Sequence, residues 1–487
     1  MIKRTLPAIL GFLSLFVPVV AQQTNGSARA YDETITLPQS VTFPVSPSAD
    51  GRYLQDANGI PFPILGRTAW FITSLKPAEY KRFLNDTAAK RYTAIEFHVI
   101  NHDTRGNHPP SAGNNALPFL KNLDGTTYTG GLNGTADFTT PNETYWAYVD
   151  DLLAYAESKG LLLFMFPAYA GYLGGSQGWM MELLHNGQGK VESYGEWIAT
   201  RYAARKNIVW MMGGDIGTGN HSFTPPQTVV EQALLTGLQS VAGQQSTYFS
   251  AEWNSDSVAT DQVDFGTAMT LNGAYSFSGY ATTYSRHAYE YLPAEPAFLL
   301  EEPYDEEGPD GNNVNGSATQ PVRRFQWWGW LSSIGGYISG NGYIWPFTLG
   351  WQDHLNTLGA QDMARLNKFI KSIAWQTLVP SGLGGMGTIV TAGGGTTDFD
   401  FVTAAAAANK KLLIAYVPPG DTPGSIRTFT IDMSFLSGPA RARWYNPATA
   451  QYTLIASHLP NSGGHVFMTP GNNGSGFSDW VLVIDSH

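Results

Sequence analysis

Over about 320 residues this chain alternates between short apolar runs of strand length and stretches of helical periodicity, a pattern with few structural solutions. The runs are Phe62–Phe71, Tyr92–Ile100, Leu161–Phe166, Ile208–Met212, Thr247–Trp253, Phe265–Leu271, Ala297–Glu301 and one within Gly335–Trp345. Tyr80, Phe83, Leu84 and Thr87 recur at i, i+3, i+4 and i+7. Tyr145, Tyr148, Val149, Leu152 and Ala156 share one face of a helix expected over Glu143–Lys159 and stopped by Gly160. Further helices are expected near Tyr194–Ala204, over Thr228–Val241 and over Asp362–Leu378. Eight such units predict a (β/α)8 TIM barrel, with a doubly wound open sheet as the alternative. A barrel carries its functional groups at the C-terminal ends of its strands, which narrows the search for a site.

The rest of the 487 residues fall on either side of that pattern. Lys3 and Arg4, the apolar run Leu6–Val20 and the small residues Val19-Val20-Ala21 read as a signal peptide over 1–21, followed by a flexible lead-in over 22–40. Turn signals at Asp50-Gly51 and Asn58-Gly59 mark a β-hairpin unit that opens the barrel domain, 41–380. Beyond Pro380, glycine-rich turns separate short β-type runs such as Leu412–Val417, Ala440–Tyr445 and Trp480–Ile484, so 381–487 is expected to be a β-sandwich without catalytic residues. Asn-x-Ser/Thr acceptors at Asn25, Asn85, Asn133, Asn142, Asn220, Asn315 and Asn473 fit a secreted, extracellular protein. There are no cysteines to form disulfides or thiolate metal sites. Without Lys3 and Arg4, 26 basic residues face 39 acidic ones, a net charge of −13 that argues against nucleic acid or membrane partners. With 14 Trp and 24 Tyr, the composition suits a poly- or oligosaccharide ligand, and a monomer is expected.

The predicted strand ends collect Arg67 and Trp70, then Glu96, His98, Asn101 and His102, then Tyr169, then Asp215. The later ends add Glu252 and Trp253, Asn272, Glu301, Glu302, Tyr304 and Asp305, and finally Asn341, Tyr343 and Trp345. Hydrolysis of a glycosidic bond needs one carboxylic acid to protonate the leaving oxygen and a second carboxylate to attack or to activate water. Asp215 follows the fourth run among glycines, and the seventh run ends in two carboxylates. Neighbours on a continuing strand point to opposite faces, so only one of Glu301 and Glu302 can face the barrel axis, and Glu302, just before Pro303, is favoured. In their ordinary roles Asp215 would be a turn or cap residue and Glu302 a surface carboxylate. His98 and His102 are four apart, but on a strand end and a loop that spacing builds no zinc site. The acidic run Glu301–Asn313 lacks EF-hand spacing, so neither a metal nor a cofactor is expected. Arg323-Arg324 opens an aromatic helix that reads as a packed barrel helix. No Gly-x-Ser-x-Gly elbow or phosphate loop is present.

Several collinear segments resemble one family: Asp50-Gly-Arg-Tyr-Leu, Gly59-Ile-Pro-Phe-Pro-Ile-Leu-Gly66, Thr68-Ala-Trp70, Trp210-Met-Met-Gly-Gly-Asp215, Glu302-Pro-Tyr304, Val322-Arg-Arg324 and Gly359-Ala-Gln-Asp-Met363. They are similar to the apiosidase-like glycoside hydrolases, which are barrels commonly followed by a β-sandwich of collagen-binding type. Trp444-Tyr-Asn-Pro447 and Gly476-Phe-Ser-Asp-Trp480 match that tail. The resemblance implies Asp215 as acid/base and Glu302 as nucleophile, in a retaining mechanism. Trp70, Glu96, His98, Tyr169, Glu252, Tyr304, Asn341 and Trp345 are expected to bind substrate around this pair. Arg67 stands where the family usually has Asp, and Leu271-Asn-Gly-Ala274 where it has Gln-Ser-Gly-His, so Arg67 and Asn272 are expected to set the substrate rather than the reaction class. The expectation is a secreted glycoside hydrolase acting on plant or microbial polysaccharide, pectin side chains among them. The alternative is a non-catalytic carbohydrate- or matrix-binding protein.

Overall fold

The computed structural model describes residues 41–101, 112–131, 134–276, 281–301, 304–307, 322–395, 399–420, 422 and 424–486. The expected signal peptide and lead-in, His102, Glu302 and the acceptors Asn25, Asn133 and Asn315 lie outside them.

Three two-residue strands, β1 (Ser46–Pro47), β2 (Leu54–Gln55) and β3 (Pro61–Phe62), form the expected antiparallel unit, whose Leu54 and Phe62 are buried with the barrel core. The barrel strands follow: β4 (Ile64–Thr68), β5 (Ala94–His98), β6 (Leu162–Phe166), β7 (Ile208–Gly213) and β8 (Tyr248–Glu252). After a short β9 (Ser257–Val258) come β10 (Asn272–Tyr275), β11 (Ala297–Glu301) and β12 (Ile334–Ser339). Their order is β8-β7-β6-β5-β4-β12-β11-β10-β9, parallel throughout except for β9. The sheet is nearly closed: Thr270 N and Leu271 N donate to Phe249 O of β8 at 2.9 and 3.1 Å, bridging the one gap in the ladder. Phe164 on β6 and Phe298 on β11 meet across the interior with ring centroids 5.3 Å apart, so the barrel is filled by side chains.

The helices follow the periodicity. On α1 (Pro77–Ala89) the buried residues are Tyr80, Phe83, Leu84 and Thr87, the expected face. α2 (Glu143–Ser158) starts at an Asn142 cap that accepts from Thr144 N and ends before Gly160 at φ 71°. α3 (Met180–Tyr202) is longer than expected, because its first turns precede a break at Gly187 (φ 67°, ψ 173°) that ends sequence periodicity without ending the element. α4 (Pro225–Ser240), α5 (Ala281–Glu290), α6 (Arg323–Ser333) and α7 (Leu358–Lys371) complete the layer among the described residues.

The sixth strand is a correction. The apolar run Phe265–Leu271 is a turn and a single helical turn that packs under β8, and the strand is the next four residues, Asn272–Tyr275. Gly273 and Ala274 have little intrinsic strand preference, which hid it.

The C-terminal region holds two antiparallel sheets. The larger has the order β13-β15-β16-β21-β18-β19, comprising β13 (Leu378–Pro380), β15 (Thr403–Ala407), β16 (Leu412–Val417), β18 (Ala440–Tyr445), β19 (Tyr452–Leu459) and β21 (Trp480–Ser486). The smaller joins β14 (Val390–Ala392), β17 (Thr428–Asp432) and β20 (Gly464–Met468). Alternate residues of the large sheet serve two cores. Leu413, Ala415 and Leu482 face the small sheet, while Ile414, Tyr416 and Val483 pack on Trp327 and Trp330 of α6 and Phe369 of α7. Among the described residues no helix is long and apolar enough to cross a membrane.

Candidate active site

A cleft of about 380 Å³ opens at the C-terminal ends of the barrel strands. Its floor carries three carboxyl groups from three strands: Asp215 just past β7, Glu252 at the end of β8 and Glu301 at the end of β11.

Asp215 is placed by its neighbours. Gly213 and Gly214 have φ of 74° and 115°, and a Cβ on Gly214 would lie 2.2 Å from the Tyr169 ring, so only glycine allows that ring against the turn. Asp215 itself is left-handed at φ 56°, an uncommon conformation for a residue with a side chain, and one of a kind found at functional sites. Two hydroxyls hold its carboxylate: Tyr169 donates to Oδ2 at 2.6 Å and Tyr275 to Oδ1 at 2.9 Å. Burial, with the nearby carboxylates, raises both tyrosines well above the ordinary phenol range, so they remain donors.

Glu301 reaches the cleft through a bulge. Phe298 and Leu300 face the interior core and Leu299 the helix layer, so plain alternation sends Glu301 outward and Glu302 inward. The register with β10 shifts, however: Ala274 pairs with Leu299 and Tyr275 with Glu301, leaving Leu300 as an extra residue. The bulge turns Glu301 into the cleft beside Tyr275, as bulges next to active sites do. Burial and the Asp215 charge push the Glu301 carboxyl well up, partly offset by the Tyr304 hydroxyl. Burial, Glu301 and Asp215 do the same to Glu252.

Of the other expected substrate-binding residues, Trp70, His98, Tyr169, Glu252, Tyr304 and Trp345 line this cleft. His98 stacks on Tyr169 at 4.2 Å and on Trp70 at 4.9 Å between centroids, forming an aromatic wall. Four expected residues do not line it. Arg67 turns outward from β4, pairs with Asp86 of α1 at 2.7 Å and lies over the Phe83 ring. Asn272 opens β10 at the far end from the cleft, its amide donating to Thr260 Oγ1 and Ala288 O. Asn341 ties down the loop after β12 through Asp305 and Glu306. Glu96 is fully buried on β5 beneath the cleft, near enough to add to the upward push on Glu252 and Glu301. Sequence reasoning missed Tyr275, Tyr172, His221 and Asn254; the first was hidden by the misread sixth strand and the others lie on loops. Among the described residues no group of three or more His, Cys, Asp or Glu could hold a metal ion.

A nearly closed parallel barrel with buried carboxyls and an aromatic wall at its strand ends is the architecture of a barrel glycosidase. Residues 48–377 match the family model of the apiosidase-like catalytic domain, and 393–485 match one named for the collagen-binding domain of a collagenase. The chain belongs to the apiosidase-like family and is a glycoside hydrolase. A solved glycoside hydrolase aligns over 92% of this chain and 98% of its own at 21% identity and a TM-score of 0.70. A glycoside hydrolase family 5 structure from Bacteroides vulgatus ATCC 8482 aligns over 92% and 95%, also at 21% identity, with a TM-score of 0.68. At these identities the structural likeness concerns the fold. No curated protein sequence matches the chain.

Proposed function

We propose that the protein is an exported, retaining glycoside hydrolase of plant or microbial polysaccharide, pectin side chains among its substrates, with Asp215 and Glu301 as its two carboxyls. The observation that carries the reading is that these two, one just past the fourth parallel strand and one at the end of the seventh, share one cleft with Tyr275 beside both. The resemblance at Gly-Gly-Asp makes Asp215 the proton donor to the leaving oxygen, which leaves Glu301 as the nucleophile in the position expected of Glu302. Burial and the Asp215 charge raise Glu301. Retaining chemistry requires an ionised Glu301 and a protonated Asp215 when substrate is bound, and the Tyr304 hydroxyl helps to hold Glu301 charged. Attack on the anomeric carbon would give a glycosyl-enzyme ester as the leaving group takes its proton from Asp215. Water, deprotonated by Asp215, would then release the sugar.

Export rests on the N-terminal sequence. Of the acceptors within the described residues, Asn85 and Asn220 are exposed and suited to glycans, whereas Asn473 is buried, its amide donating to Asp479. Incubation with rhamnogalacturonan-rich pectin, with early products followed by proton NMR, tests the reading. The expected result is a released sugar of retained anomeric configuration. Net inversion would reject the nucleophile, and no release from a panel of plant and microbial polysaccharides would reject the substrate class.

A further inference from the structure

The rim of the cleft on the Asp215 side is built differently from the opposite rim. Tyr172 stands there with 57% of its surface exposed, and Leu173 beside it is 41% exposed. A single exposed tyrosine is ordinary. This one, however, lines the cleft, on a short loop held in place at several points. Leu173 N donates to the backbone oxygen of Asp215 at 3.1 Å, and Leu173 itself is left-handed at φ 55°. Gly174 N closes back on Gly171 O at 2.7 Å, and Tyr172 O accepts from Gly175 N and from Gln177 Nε2. A Cβ on Gly178 would lie 2.2 Å from Gly171 N, so the loop is folded tightly on itself. A loop that bears this strain and these bonds presents its ring in a fixed place on the cleft lining, bonded through Leu173 to the turn that carries Asp215.

The same side holds His221 and Asn254. Gly217 N donates to His221 O at 2.8 Å, and Thr218 donates to Asn254 Oδ1 through its backbone N–H at 2.9 Å and its hydroxyl at 2.7 Å. Tyr172, His221 and Asn254 are therefore all tied to the segment around Asp215, while Tyr304 and Trp345 lie on the segments that follow β11 and β12.

We infer that Tyr172 is the stacking platform of a leaving-group subsite, with His221 and Asn254 as its polar edge, and that the ligand there is a sugar ring. The inference rests on the proposed assignment of Asp215 as proton donor, because the donor stands beside the departing oxygen and the group attached to that oxygen must lie over Tyr172. A pyranose offers an apolar face to a flat ring and hydroxyls to the polar groups at its edge. The platform is open to solvent on its outer side, so the leaving group can be part of a longer chain. The enzyme then prefers glycosidic bonds between sugars over those to small alcohols.

The test compares two substrates. One is a pectin-derived oligosaccharide, and the other is the glycosyl fluoride of its terminal sugar, whose leaving group is too small to reach Tyr172. Tyr172→Ala is expected to lower kcat/KM roughly tenfold on the oligosaccharide, mostly through KM, and to leave the fluoride within about twofold. Tyr172→Phe keeps the ring and should stay within about threefold on both. Equal losses on both substrates, or none on the oligosaccharide, would overturn the inference. Failure of the wild type on both substrates would instead remove the glycosidase reading on which it depends. Tyr172 is exposed, so unchanged melting temperatures should accompany all of these results.

Discussion

Arg67 shows how one residue changes meaning between sequence and structure. Its position before Thr68-Ala-Trp70 puts it at a strand end, where a departure from the family pattern points to substrate choice. The side chain instead faces the helix layer, paired with Asp86 and covered by Phe83 and Tyr92. Arg67→Ala should therefore destabilise the fold by about 3 kcal/mol, the cost of breaking a largely buried pair, and leave KM unchanged. Thermal unfolding and steady-state kinetics on the same preparation check this; a raised KM at unchanged stability would return Arg67 to the site. The aromatic wall was legible, because Trp70, His98, Tyr169 and Trp345 all lie at or just beyond correctly read strands. That Glu301 enters the cleft could not be read from alternation, since it depends on a bulge at Leu300 that such a pattern cannot reveal, while Glu302 lies outside the described residues.

Whole elements were legible where one face alone is buried. The apolar faces of α1 and α2 gave their positions nearly to the residue. The sequence misled where an apolar run packs without pairing, as at Phe265–Leu271, or where a break interrupts a helix, as at Gly187. β15, with four consecutive alanines, carries no alternation because both its faces are buried. One helix also bears on the turn that carries Asp215. Glu231 of α4 is fully buried near Gly213, and burial raises its carboxyl to about 8, opposed by the Gly213 backbone N–H. The unfolded carboxyl ionises near 4.5, so between these values the folded state holds the extra proton. Its stabilising contribution is complete below about pH 4.5 and is lost as pH rises towards 8. Glu231→Gln cannot ionise, so its stability relative to wild type should climb by about 1.4 kcal/mol per pH unit across that window. Denaturant unfolding at pH 5, 6 and 7 measures the slope, and a flat or falling difference would contradict it.

The two regions of the molecule form one compact unit from Val41 to His487 because the sandwich seats itself on the barrel helix α6. Trp327 of that helix stacks on Tyr416 at 5.7 Å, and Trp328 donates to Phe401 O. Arg323 is clamped between Asp362 of the barrel and Asp479 of the sandwich, and Tyr416 donates to Asp479 at 3.0 Å. The run Phe325, Trp327, Trp328, Trp330 read correctly as a packed helix, although nothing local said that its cover comes from more than 70 residues later. Asp479→Ala should leave Arg323 a buried cation short of its partner and cost about 3 to 5 kcal/mol. It should also lower a single calorimetric transition, whereas two separating transitions would mean that the regions fold independently. That support keeps β11 and β12 beside α6, and with them the bulge that aims Glu301 at the cleft. The proposed mechanism depends most directly on that carboxyl. Asp215→Asn, Glu301→Gln and Glu302→Gln should be compared by kcat/KM on the substrate the wild type cleaves. Losses on the order of a thousandfold or more for the first two, with Glu302→Gln within a few-fold of wild type, are the predicted result. An active Glu301→Gln beside an inactive Glu302→Gln would contradict it.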